Sequence, residues 1–177
     1  MQSLYCDEMF SNAELMEETK HADLVVGELF YLCGSLVADK LSLPLVIITK
    51  SLSSPTSIAL GLPSPPSYVP QWNVPDELNF ANRVQNVLNR MLLYVFYLYD
   101  VCPMYAEIKA KHNITPNKTI QETLGRADLI IGQVDFMLAP PRPLLPNTRV
   151  VGPFQPSPAK PLPNELDQFM QKAGTKE

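Results

Sequence analysis

In the stretch DLVVGELFYLCGS, residues 23 to 35, an apolar run from Leu24 to Val26 reaches Gly27 and is followed at once by the carboxylate of Glu28. Open parallel sheets bind ligands just beyond the carboxyl ends of their strands. Glu28 is therefore either part of a site or a solvated loop acid. His21 directly precedes the strand and His112 lies in the polar KAKHN, and both read as surface residues. Cys6, Cys33 and Cys102 are scattered, and with two histidines they give no metal-ligand spacing, so no metal is expected. An odd cysteine count does not point to a disulfide framework. Cys33, with no histidine near it in the pattern, reads as a packed small hydrophobe rather than a nucleophile. Asn113-Ile-Thr115 and Asn117-Lys-Thr119 have the form of N-glycosylation acceptors, with ordinary loop polarity as the alternative. There is no phosphate-cradling G-x-x-x-x-G-K-[ST], no G-x-G-x-x-G after a strand and no G-x-S-x-G elbow.

The elements that must position these residues follow from composition and periodicity. The chain has 177 residues, enough for one domain or a domain plus a tail. It is 46% hydrophobic and 18% charged, so it can bury a core. Its net charge of −4, with no Lys/Arg cluster, argues against a nucleic-acid surface. The start, MQSLYCDEMF, is not a signal peptide. The longest apolar run, Met91 to Tyr99, has nine residues, where a bilayer needs about 20.

SNAE, Ser11 to Glu14, is a capping box with Ser11 as the cap, opening a helix from Asn12 to about Lys20. Leu24 to Gly27 reads as a buried strand, GSLVADKLSL as a helix closed by Pro44, and LVIIT as another buried strand. A strand–helix–strand unit with short connections implies a parallel sheet. Ser51 to Pro75, with six prolines, is a long loop. Its Ile58, Leu60, Leu62, Tyr68, Val69 and Trp72 should pack against something. Phe80, Val84, Val87, Leu88, Met91 and Val95 mark the apolar face of a helix from about Leu78 to Tyr99, with Asn82, Arg83, Asn86 and Asn89 opposite. Past Met91 this helix is apolar nearly all round, so its second half should be buried or line a pocket. A further helical piece runs to about Lys111. TIQE is a second capping box, and DLIIG, Asp128 to Gly132, a third buried strand. Nine of the 18 prolines lie between Pro140 and Pro163, where only RVVG could form a strand. The expected organisation is a domain over 1–139, a Pro-rich connector over 140–163, and the start of a further region over 164–177 with a helix capped by Asn164. A stiff connector leading to so little suggests truncation.

Several stretches together resemble the UDP-glycosyltransferases, especially the animal UDP-glucuronosyltransferase branch. PPSYVP and NFANRVQNVLNRMLLY are similar to a loop motif and a following helix of that family. TIQETLGRADLIIG is similar to its E-T-[LM]-G-x-A-[DE] helix and strand. PRPLLPN and PAKPLP are similar to its turn and its linker, and SNAELMEETKHADLVVGELFYLCGSLVADKLSLPLV resembles the segment before them. The resemblance covers nearly the whole chain. It implies an α/β, Rossmann-like parallel sheet with flanking helices, half of a two-domain GT-B fold, here part of the N-terminal acceptor-binding domain.

By resemblance the activity would be sugar transfer, of glucuronic acid or another hexose, from a UDP-sugar to a hydroxyl of a small lipophilic acceptor. The UDP-sugar is a co-substrate and no cofactor is implied. The family's catalytic histidine is oriented by an aspartate. That aspartate aligns with Glu28, while neither His21 nor His112 falls at the histidine's position. Phe30, Tyr31 and Met91 would line the acceptor pocket. The histidine, the sugar-nucleotide domain and the membrane anchor would lie in parts this chain lacks, so the fragment alone should be inactive. The full-length parent is expected in the endoplasmic-reticulum membrane with this part lumenal, which favours Asn117 and Asn113 as glycan sites, and it could associate with other family members. The competing expectation is a non-catalytic truncated protein that binds lipophiles or a full-length partner.

Overall fold

Three apolar runs that end at turn residues become parallel neighbours, joined by a fourth strand from the Pro-rich segment. The structure, a computed structural model, describes residues 2–52, 55–71, 73–152 and 160–173. Strands β1 (Val25–Glu28), β2 (Leu45–Thr49), β3 (Leu129–Gln133) and β4 (Thr148–Val151) form one sheet in the order β1-β2-β3-β4. Every pair is parallel, with Glu28 beside Ile48, Thr49 beside Gly132 and Gln133 beside Val151. Helices α1 (Gln2–Ser11), α2 (Ala13–Thr19), α3 (Cys33–Leu41), α4 (Phe80–Phe96), α5 (Cys102–Lys111), α6 (Ile120–Leu124) and α7 (Asn164–Ala173) complete the fold. Parallel sheets with helical crossovers are the expected outcome of strand and helix alternation. β4 comes from inside the connector expected over 140–163, of which residues 153–159 lie outside the described residues.

Burial is one-sided. Leu45, Ile47 and Thr49 of β2 and Ile130 of β3 are buried on one face, against Leu29, Ala38 and the loop residues Leu52, Leu60 and Leu62. Val46, Ile48 and Ile131 on the other face are only half-buried, and Val26 of the edge strand is exposed. The strands expected to be buried on both faces therefore alternate. Of the loop residues expected to pack, Ile58, Leu60, Leu62 and Val69 are buried, Tyr68 is exposed and Trp72 lies outside the described residues. A second cluster forms between helices, from Cys6, Phe10, Leu36, Tyr97, Tyr105, Ile108 and Leu124.

The long helix departs most from expectation. It turns at a π-helical segment, Tyr97–Val101, before α5. Its apolar stripe faces outward, with Phe80, Val84, Leu88, Met91 and Val95 all exposed. Asn86, expected on the solvent face, is fully buried. The cause is backbone polarity. The proline-rich loop pairs some of its backbone groups internally, and Asn86 takes up three more: Oδ1 accepts from Gln71 N at 2.7 Å, and Nδ2 donates to the carbonyls of Pro66 and Val69. Burying that side chain turns the apolar stripe away from the core.

Several local expectations need correction. Cys6 and Cys33 form a disulfide, which an odd cysteine count did not suggest, and only Cys102 is a free, buried thiol. The bond joins α1 to the first residue of α3. The N-cap of α2 is Asn12 and not Ser11: its side chain accepts from Leu15 N. Ser42, in the left-handed conformation at φ 56°, closes α3 before Pro44 is reached. Asn164 is the first helical residue of α7 rather than its cap. His112 is not a bland surface residue. Its Nε2 lies 2.7 Å from Asp7 Oδ1, and its ring packs against Phe10. The capping box at Thr119 and Glu122 forms as expected.

Asp39 on α3 is the main polar tie. Its side chain is fully buried. It accepts from Thr115 Oγ1, Lys118 Nζ, Thr123 Oγ1 and Arg126 NH1 at 2.8–3.1 Å. Burial alone would push its carboxyl up, but the bonds from Lys118, Thr123 and Arg126 hold it below the usual carboxylate range. Removing such a carboxylate strands its donors. Asp39→Ala should lower stability by on the order of 3 kcal/mol, read as a lower urea midpoint at unchanged slope. A folded pKa below the unfolded one stabilises above the unfolded pKa, and that stability is lost as pH falls through the folded value. The wild-type midpoint should therefore drop below about pH 4, and that of the variant should drop less.

Candidate active site at the carboxyl end of the sheet

Glu28 is the last residue of β1, at the carboxyl edge of the sheet, one position inside the strand rather than past it. Its Oε2 accepts from Phe30 N at 2.9 Å and its carbonyl accepts from Tyr31 N at 2.9 Å. The carboxylate thus folds the chain into a tight turn whose apolar side chains, Phe30 and Tyr31, point outward at 44% and 59% exposure. Leu29, between them and the strand, is fully buried and anchors the turn. Among the described residues no hydrogen bond or ion pair joins Glu28 to a histidine. His21 is exposed in the turn after α2, and His112 is committed to Asp7.

Two features fix this turn from behind. Gly27 and Gly34 let α3 lie close on β1: a Cβ on Gly34 would sit 3.4 Å from the Gly27 Cα, and one on Gly27 would sit 3.1 Å from Ile47 Cδ1. A side chain at Gly27 would press on Ile47 of β2, while a Cβ at Gly34 would only just touch the strand that carries Glu28. The Cys6–Cys33 bond then ties the far side of the turn to α1. α1 is itself held to the end of α5 by Lys111 and His112 on Asp7.

Of the expected site residues, Glu28, Phe30 and Tyr31 share one turn. Met91 lies apart on α4, 59% exposed. An apolar cavity of about 420 Å³ does open against α4, but Pro66, Phe80, Val84, Val87 and Leu88 line it and Met91 does not. Asn113 and Asn117 are both exposed in the α5–α6 loop. The acceptor threonines are engaged: Thr115 Oγ1 bridges Lys109 and Asp39, and Thr119 Oγ1 caps α6. No group of metal-binding side chains occurs among the described residues. No helix of the described residues is long and apolar enough to cross a membrane.

Residues overlooked in the sequence line the same sheet edge. The ends of β2, β3 and β4 enclose a cavity of about 320 Å³ whose polar lining includes Lys50, Gln133, Asp135 and Arg142. Arg142 NH1 donates to Leu52 O. The available signal was Arg142 standing alone as a cation in PPRPLLPN.

The disulfide should matter locally as well as globally. Closing a loop of this length restricts the unfolded chain by about 3 kcal/mol. Cys33→Ser should lower the melting temperature and speed amide exchange at Phe30 and Tyr31. Unaltered exchange there would mean that the bond does not brace the turn.

The model of the UDP-glucoronosyl and UDP-glucosyl transferase family matches residues 1–177. Human UDP-glucuronosyltransferase 2B28 is 30% identical over 96% of the chain, the rabbit (Oryctolagus cuniculus) UDP-glucuronosyltransferase 2C1 is 34% identical over 96%, and bovine (Bos taurus) UDP-glucuronosyltransferase 3A1 is 32% identical over 96%. The chain spans about a third of these relatives' own length, 33–35%. The parallel four-stranded sheet with flanking helices is consistent with a Rossmann-like half of a GT-B fold. On the match along its whole length, the chain belongs to the UDP-glucoronosyl and UDP-glucosyl transferase family.

Proposed function

We propose that this chain is the acceptor-facing part of a glycosyltransferase that moves a hexose, glucuronic acid or a neutral sugar, from a UDP-sugar to a hydroxyl of a small lipophilic acceptor. The observation that carries this reading is the family match over residues 1–177. Relatives three times as long supply the reason to assign turnover to a longer polypeptide that also carries a sugar-nucleotide half, with the 177 residues alone inactive.

In that polypeptide a histidine takes the acceptor's proton as its oxygen attacks the anomeric carbon and UDP departs. Glu28 would fix the tautomer of that imidazole and stabilise its charged form. Its position at the carboxyl end of β1, in a turn braced by Gly27, Gly34 and the disulfide, supports the role. Glutamate is one methylene longer than aspartate, and the bond from Phe30 N draws its carboxylate back toward the turn. The neighbouring Phe30 and Tyr31 offer an apolar surface suited to a lipophilic acceptor, with Met91 a more distant contributor.

The Cys6–Cys33 disulfide supports an oxidising compartment. We assign this part of the protein to the lumenal side of the endoplasmic reticulum, in a parent anchored to that membrane and able to associate with other family members. A second reading, a non-catalytic protein that binds lipophiles or a full-length partner, draws on the apolar cavity against α4.

Glu28→Gln in the longer polypeptide should cut kcat/KM by about 10²-fold, while acceptor KM changes little; an unchanged kcat/KM removes Glu28 from catalysis. Absence of turnover in the parent favours the second reading. Expressed through the secretory pathway, the protein should gain mobility on glycosidase treatment, and Asn117→Gln should reduce that shift. No shift in either protein counts against the lumenal assignment.

A further inference from the structure

Two glycosylation sequons share the α5–α6 loop, and the fold holds them differently. Asn113 lies just past α5, with its backbone in the left-handed region at φ 48°. Asparagine is one of the few residues that adopt this conformation readily at a helix end, so its presence is accounted for without a glycan. Ile114, the middle residue, is 1% exposed, and its N–H donates to Lys109 O at 3.0 Å. Thr115, also left-handed at φ 34°, places its hydroxyl 2.6 Å from the Lys109 ammonium and 3.1 Å from the Asp39 carboxylate. The same ammonium donates to the carbonyls of Ile114 and Thr115. Two of the three residues of this sequon are therefore tied to the interior.

Asn117, Lys118 and Thr119 are all exposed. Lys118 N donates to Thr115 O at 3.0 Å, closing a turn with Pro116 and Asn117 at its centre. Proline in the first central place presets such a turn and leaves the next residue at its tip. Thr119 is extended, at φ −68° and ψ 162°, and its hydroxyl is held by the exposed capping box with Glu122. Lys118 also reaches Asp39, but through the end of a long side chain that is 42% exposed.

A transferase that installs an N-glycan must reach the asparagine amide and the hydroxyl two residues on. The amide nitrogen attacks the anomeric carbon of a lipid-pyrophosphate-linked oligosaccharide. A C–N bond forms, the C–O bond to the pyrophosphate breaks, the amide loses a proton and the lipid pyrophosphate leaves. Freeing Thr119 opens one exposed N-cap, a population penalty on the order of fivefold. Freeing Thr115 opens a buried charged network, a penalty of more than about a hundredfold.

We propose that Asn117 is the glycan acceptor of the folded protein, and that Asn113 accepts a glycan only while the Asp39–Lys109 network is open. The loop is fastened near the end of α3 remote from the Glu28 turn, so a sugar chain on Asn117 starts away from the candidate site. In the cell this rests on the lumenal reading above; as a property of the folded chain it does not.

The test is to incubate the unglycosylated 177-residue chain, disulfide intact, with an oligosaccharyltransferase and a lipid-pyrophosphate-linked oligosaccharide. Enzymatic deglycosylation leaves aspartate where a glycan stood, and mass spectrometry then reads the occupancy of each asparagine. Asn117 should be modified at least about tenfold more than Asn113. Pro116, directly after Thr115, is a separate hindrance to Asn113, and two variants divide its effect from that of the network. Pro116→Ala alone should leave Asn113 unmodified. Asp39→Ala combined with Pro116→Ala should bring Asn113 close to Asn117, whether that chain is loosened or unfolded. Equal modification of both asparagines in the wild-type chain, an unmodified Asn117, or ready modification of Asn113 in Pro116→Ala alone overturns the proposal. An Asn113 still unmodified in the double variant overturns it as well. Modification of Asn117 in this assay but never on expression through the secretory pathway removes the lumenal assignment, while the acceptor preference stands.

Discussion

A single carboxylate buried on α3 gathers donors from the α5–α6 loop, from α6 and from the lead into β3. Asp39 cannot be solvated, so its four donors must stay in place, and the segments that carry them must stay with them. Arg126 passes the constraint on: its other nitrogen donates to Leu43 O, just before β2. Asp128 completes the link by accepting from Leu45 N while its own N–H donates to Leu45 O. The start of β2 and the start of β3 are thereby pinned side by side, which sets the register of the sheet's centre. Lys109, buried with three bonds to Ile114 and Thr115, holds the adjoining loop although Asn113 and Thr115 have positive φ. Backbone of that kind persists where its surroundings over-determine it.

With the strand starts fixed, their carboxyl ends become the variable edge, and the candidate chemistry collects there. Glu28 and the cationic cavity occupy the same edge of one sheet. They are supported differently. Glu28 sits on a turn braced by close helix–strand packing and a covalent tie. Lys50 and Arg142 stand on the segments that follow β2 and precede β4, where the backbone is free of ladder pairing. A rigid mount suits a group that must orient another side chain.

The elements legible in the sequence were those specified by local patterns: apolar runs ending at turn residues, the Thr119 capping box, and the carboxylate at the end of β1. Long-range pairings were not legible. Cys6 and Cys33 are 27 residues apart, and nothing in their spacing shows that α1 folds back onto α3. His112 looked bland because its partner Asp7 is 105 residues away. The stripe on α4 had helical period but the wrong implied direction. Periodicity reports that a helix has two faces, and only the hydrogen-bond needs of the proline-rich loop decided that Asn86 faces inward.

By itself the sequence determined the element types, the parallel sheet, the family and Glu28 as the acid to watch, because each follows from local pattern or from motifs shared with relatives. The tertiary structure decided which polar groups lose water together. Desolvation depends on what packs nearby and not on what is adjacent in the chain. That is why Asp39 became the organising charge and why Cys33 is a crosslink.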